Sequence, residues 1–175
     1  MQISVITELD FYKIDRCRRV ISHDCAQKFA AIDLGVPLGC YGLSWRSDIL
    51  EPMITRSPDR RTVWIGVDQQ LAAISIDEGR ILVALGFTDY LVQMVAIADV
   101  IAVLTQEKVL LFNAGGSIRF SDDLPDQGIG MTVEGENLVI KMLEGESLTL
   151  NPMTGYFKPS DSVQSMAAST TRRSP

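Results

Sequence analysis

Residues 62–85 read TVWIGVDQQLAAISIDEGRILVAL. Three apolar runs, Val63–Val67, Leu71–Ile76 and Ile81–Leu85, are separated by Asp68-Gln69-Gln70 and by Asp77-Glu78-Gly79-Arg80. Runs this short, rich in Val, Ile and Leu, have strand length, and the residues between them are turn formers. An aspartate opens each turn, and Gly79 supplies the positive φ that lets a chain reverse in few residues. The stretch therefore predicts three antiparallel strands joined by two tight turns.

The same order recurs downstream. Val100–Leu104, a polar Thr105–Lys108, Val109–Phe112, Asn113-Ala-Gly-Gly116 and Ser117–Phe120 repeat it. So do Leu138–Met142, Glu144-Gly-Glu146, Leu148–Leu150, Asn151–Gly155 and Tyr156-Phe157, with a partial copy at Phe29–Gly35. Anchors at 29, 71, 109 and 148 recur at a spacing of roughly 40 residues, the length of one propeller blade. The reading is an all-β fold of antiparallel hairpin repeats.

Residues 62–82 resemble a blade segment of the quinoprotein or WD-repeat type of β-propeller, and 100–120, 138–157 and 29–42 follow the same pattern less fully. No Trp-Asp dipeptide and no Gly-His pair accompanies them. The resemblance implies a small β-propeller, or a half-propeller completed by dimerisation. A β-sandwich or barrel built of the same hairpins is the alternative. Residues 1–159 are expected to form a single all-β domain, with long loops at 43–61 and 122–128. Ser/Thr/Ala-rich residues 160–175 read as a disordered tail.

Composition narrows the function classes. The 46% hydrophobic content suffices for a packed core. The longest nearly apolar run, Leu91–Leu104, holds Gln93 and Asp99 and is too short to span a bilayer, so no membrane is expected. No secretion signal is visible, the three cysteines read as free thiols, and the expected location is cytoplasmic. Net charge is +1 over residues 1–61, −8 over 62–158 and +1 over 159–175. An acidic centre repels phosphate backbones, which argues against nucleic acid and for a basic protein partner.

No motif for catalysis reaches strength. His23, Cys17, Cys25 and Cys40 lack the paired short clips of a zinc site, and Asp123, Gly128 and Glu134 make a calcium loop only with Pro125 at a ligand position. Ser44 has one glycine of a nucleophile elbow and would depend on His23, the only histidine. Gly115-Gly116 is not followed by a phosphate-binding lysine. No catalytic residue, metal or cofactor is therefore assigned, and the enzyme question leans to no. Arg16-Cys-Arg-Arg19 reads as a charged strand edge. Trp45, Asp122, Asp123 and Asp126 are the candidate binding residues of a non-enzymatic interaction module, of inhibitor or immunity type, that binds a basic partner or its own copies. The alternative is a propeller-type metal-dependent hydrolase or lactonase, with Asp68, Asp77, Asp122 and Asp123 as ligand candidates.

Overall fold

A computed structural model describes residues 1–158; the expected tail at 160–175 lies outside the described residues. Four sheets of four strands follow one another along the chain. Sheet 1 holds β1 (Gln2–Val5), β2 (Arg19–Ile21), β3 (Lys28–Asp33) and β4 (Cys40–Trp45), with helix α1 (Glu8–Lys13) between its first two strands. Sheet 2 holds β5 (Met53–Arg56), β6 (Thr62–Val67), β7 (Gln70–Ser75) and β8 (Ile81–Gly86). Sheet 3 holds β9 (Leu91–Ile97), β10 (Val100–Thr105), β11 (Lys108–Asn113) and β12 (Ile118–Asp123). Sheet 4 holds β13 (Gly128–Glu134), β14 (Asn137–Met142), β15 (Ser147–Asn151) and β16 (Tyr156–Lys158).

Sheets 2, 3 and 4 are antiparallel meanders in chain order, and the strand-turn-strand-Gly-turn-strand unit of the sequence supplies the second, third and fourth strand of each. Of the first strands, β9 lies against both β5 and β13. Sheet 1 departs from the pattern: its order is β1-β3-β4-β2, and β2 joins β4 in parallel. The partial repeat at Phe29 accordingly occupies the second place in its sheet, not the third.

Apolar packing between neighbouring sheets holds the row together. Val63, Ile65 and Val67 of β6 face Ala30, Ile32, Tyr41 and Leu43 of sheet 1, while Trp64 points the other way, onto Ile101, Val103 and Phe112 of sheet 3. Strand β10 repeats this arrangement, with Val100, Ala102 and Leu104 packed on Leu138, Ile140 and Leu150 of sheet 4. Strands covered on both faces read as unbroken apolar runs, which is why periodicity of two is absent from 63–67 and 100–104. Among the described residues the apolar clusters join sheet 1 to 2, 2 to 3 and 3 to 4, and none joins sheet 4 to sheet 1, so the four sheets form an open row.

The outer faces of the row differ from its inner ones. On sheet 1, α1 covers the side turned away from sheet 2: Phe11 is buried against Phe29, and a Cβ on Gly42 would come within 2.9 Å of its ring. On sheet 4, the outward residues in register are Thr132, Val139, Thr149 and Lys158, with Lys141 beside Ser147. The outward face of sheet 4 is thus mostly polar, whereas the faces between sheets are apolar.

Several expectations change. Residues 43–61 are not one loop, since β4 runs to Trp45 and β5 occupies Met53–Arg56; Pro52 and Pro58 bracket β5, leaving its interior free to pair. Arg16–Arg18 is a short 3-10 turn, while Arg19 opens β2, an edge strand of sheet 1, and donates to the carbonyls of Ile14 and Tyr12. Strand β12 extends through Asp122 and Asp123, which shortens the second loop.

The third-to-fourth-strand turns also explain why glycine recurs in them. Gly116 has φ +90°, and a Cβ there would lie 2.8 Å from Val83 Cγ2 of sheet 2; Gly155 meets Phe120 of sheet 3 in the same way. Each turn therefore needs a left-handed backbone and a close approach to the preceding sheet. Gly116→Ala is expected to lower stability by about 1–2 kcal/mol. Gly115→Ala, with nothing within 4 Å of the added carbon, should stay within about 0.5 kcal/mol. Urea denaturation of the two variants, compared at equal slope, tests this.

Candidate functional site

One rim of the row is built by the turns between second and third strands and by the segments linking one sheet to the next. Hydrogen bonds tie these pieces together in a repeating way. The Glu107 N–H, in the β10–β11 turn, donates to Asp89 Oδ2 at 2.9 Å, and the Glu144 N–H, in the equivalent turn of sheet 4, donates to Asp126 Oδ2 at 2.9 Å. The Gln106 N–H donates to Tyr90 O, and the Leu143 N–H to Gln127 O. Each linking aspartate stands eighteen residues before the turn it clamps. That spacing was present in the sequence, but only an alignment of the linkers, beyond that of the strands, exposes it.

Between sheets 1 and 2 the clamp is reversed, because here the turn supplies the carboxylate. Asp68, at φ +52°, accepts the Arg46 N–H at 2.8 Å and the Ser47 N–H at 3.3 Å. Ser47 Oγ accepts the N–H groups of Ile49 and Leu50, and Trp45 Nε1 donates to Leu50 O at 2.9 Å. The segment Arg46–Leu50 is thus fixed from three sides, and the exposed Ile49 and Leu50 are carried on it.

His23 lies beside this clamp, its Nε2 3.9 Å from Asp68 Oδ2, and both side chains are buried. His23 Nε2 and Asp68 Oδ1 have no hydrogen-bond partner among the described residues. Burial, the largest influence, holds the imidazole below its ordinary value of 6.5; the Asp68 carboxylate pulls in the opposite direction and Arg46 reinforces the depression. Ser44 shares this cluster, yet it is the His23 backbone N–H that meets Ser44 Oγ, at 3.2 Å. A nucleophilic serine needs the imidazole nitrogen as its base, so these three residues are assembled as an inter-sheet contact.

Two depressions open on the rim. An acidic one of about 590 Å³ is lined by Gln106, Glu107, Lys108, Asp123, Leu124, Asp126 and Gln127. Lys108 is paired with Asp123, whose carboxylate holds the ammonium pKa above its ordinary value. An apolar trough of about 460 Å³ is lined by Ser47, Ile49, Leu50, Tyr90, Leu91, Val92 and Gln106. Gln106 borders both.

Of the residues singled out from sequence, Asp123 and Asp126 meet in the acidic depression and Asp122 is exposed on the neighbouring strand position. Trp45 is only 2% exposed, packs in the core of sheets 1 and 2, and borders a separate depression of about 230 Å³ with Val5, Gln27, Phe29 and Glu51. Ile49 and Tyr90, which do present one, gave no sequence signal beyond being apolar residues in linkers. Among the described residues no three metal-ligating side chains converge, and Asp68, Asp77 and the Asp122–Asp123 pair do not form such a group. Cys17, Cys25 and Cys40 are exposed and unbridged. No described helix is long and apolar enough to cross a membrane.

No family model and no curated protein matches the chain. Solved structures do. The chain is similar to Sqt1 of Saccharomyces cerevisiae at 18% identity and TM-score 0.51, over 61% of this chain and 33% of that one. It is similar to the WD40 domain of Neurospora crassa Pan2 at 16% identity and TM-score 0.51, over 61% and 36%. A third likeness is to the dihydro-heme d1 dehydrogenase NirN, at 10% identity and TM-score 0.54, over 76% and 34%. Sheets 2, 3 and 4 are β-propeller blades. The chain spans about a third of each of these solved chains, and likeness at such identity concerns the fold alone.

Proposed function

We propose that this chain is a non-enzymatic protein-interaction module that receives a basic partner on its acidic rim. The observation that carries the reading is the acidic depression, in which Glu107, Asp123 and Asp126 face one opening with a single lysine among them. Glu107 stands in a turn whose N–H is held by Asp89, Asp123 ends strand β12, and Asp126 is fixed by accepting the Glu144 N–H, so the acidic groups sit on ordered backbone facing a cationic surface. The solved structures of similar fold include a WD40 domain, and a propeller rim serves equally well as a platform for a protein. An inhibitor or immunity-type role, in which the rim covers a basic face of its target, is the specific form that the charge favours.

Affinity purification from a cell extract tests this, with the native chain and Glu107→Lys/Asp123→Lys run in parallel. The double variant spares Asp126, whose carboxylate clamps the Glu144 N–H. The expected result is a basic protein retained by the native chain, eluted by salt, and lost from the variant. Retention of the same protein by the charge-reversed rim would overturn the reading.

A further inference from the structure

The trough beside the acidic depression has a chemistry of its own. Ile49 is 89% exposed and Tyr90 46% exposed, and together with Leu50 and Val92 they leave an apolar concavity open to solvent. Isolated exposed apolar residues are ordinary, whereas a concave group of them on one rim marks a contact site. The cost of ordering has already been met here, since Asp68, Ser47 Oγ and the Trp45 indole fix the segment that carries Ile49 and Leu50. Gln106 lines both depressions and Glu107, the next residue, lines the acidic one, so the trough opens next to the acidic depression.

We propose that the trough seats an apolar side chain of the partner, so that the recognised segment joins a leucine, methionine or aromatic residue to neighbouring lysine or arginine. Charge complementarity chooses this occupant: the flanks of a segment seated in the trough extend toward Glu107, Asp123 and Asp126, which attract lysine or arginine and repel an acidic flank. The apolar anchor supplies affinity and the basic flank supplies register and rate of encounter. The inference rests on the interaction reading above and adds the partner's chemistry to it.

A selection from a displayed library of random linear peptides on the full chain tests it. Enriched peptides should combine an apolar residue with nearby Lys or Arg. A synthetic copy of the most enriched peptide is then titrated against the native chain, Ile49→Ser/Tyr90→Ser and Glu107→Lys/Asp123→Lys, with circular dichroism to confirm that each variant is folded. Both variants should weaken binding by about tenfold or more. Peptides enriched without an apolar residue, or full affinity in the Ile49→Ser/Tyr90→Ser variant with loss in the charge-reversed one, overturn the trough and leave the basic-partner reading standing. Binding that neither variant weakens, or a selection that enriches nothing, overturns both.

Discussion

Trp64→Ala is expected to lower the unfolding free energy by about 4 kcal/mol. The indole is completely buried between blades 2 and 3, with its ring centroid 4.9 Å from that of Phe112 and its neighbours Leu71, Val83, Ile101 and Val103 all in the core. Removing it takes away the transfer energy of a large aromatic side chain and leaves a cavity that two packed sheets cannot close. Trp64→Phe should cost much less, about 1–2 kcal/mol, because an aromatic ring still packs against Phe112 and the indole N–H has no partner to lose. In an open row each blade is stabilised by its immediate neighbours, so the alanine variant should also unfold less cooperatively, with a shallower denaturant slope. Far-UV circular dichroism across a urea titration reads both quantities. A loss below about 1 kcal/mol for Trp64→Ala would show that blades 2 and 3 do not pack through this side chain.

The legibility of this chain follows from what each element must satisfy by itself. Strands β6–β8, β10–β12 and β14–β16 were readable because each combines a strand-length apolar run with a turn whose Asp, Asn and Gly requirements are local. The inner strands were not: Met53–Arg56 is four residues between prolines, and Gly128–Glu134 holds two glycines and a glutamate, so their strand character comes from pairing with β6 and β14. Leu91–Leu104 looked like one apolar run, and Ala98, at φ +50°, divides it into β9 and β10. Helix α1 carries a local signal of its own. Thr7 followed three residues later by Asp10 is a capping arrangement, and Thr7 Oγ1 accepts the Asp10 N–H at 3.2 Å. At the rim, net acidity identified the region that holds Asp123 and Asp126. Which apolar linker residues line a trough depends on how separate blades meet, and no single segment encodes that.

Asp68→Ala is expected to cost about 3 kcal/mol and to weaken peptide binding at the trough together with stability. The substitution removes a charged acceptor from the Arg46 and Ser47 N–H groups and frees the segment on which Ile49 and Leu50 stand. Asp68→Asn keeps an acceptor oxygen and should recover part of both losses, which separates the hydrogen bonds from the charge. His23 makes the same contact sensitive to pH. Its folded-state pKa is depressed, chiefly by burial, so the unfolded chain takes up the proton first as pH falls below 6.5. Stability from this group is therefore fully present above 6.5 and is lost as pH falls toward and through the lower folded value. The native chain should show that loss in denaturant titrations stepped from neutral to mildly acidic pH, and His23→Gln should show less of it. In Asp68→Ala the carboxylate that partly offsets burial is gone while Arg46 remains, which extends the sensitive range to lower pH. Equal pH dependence in the native chain and His23→Gln would assign the effect to other groups and remove His23 from this account.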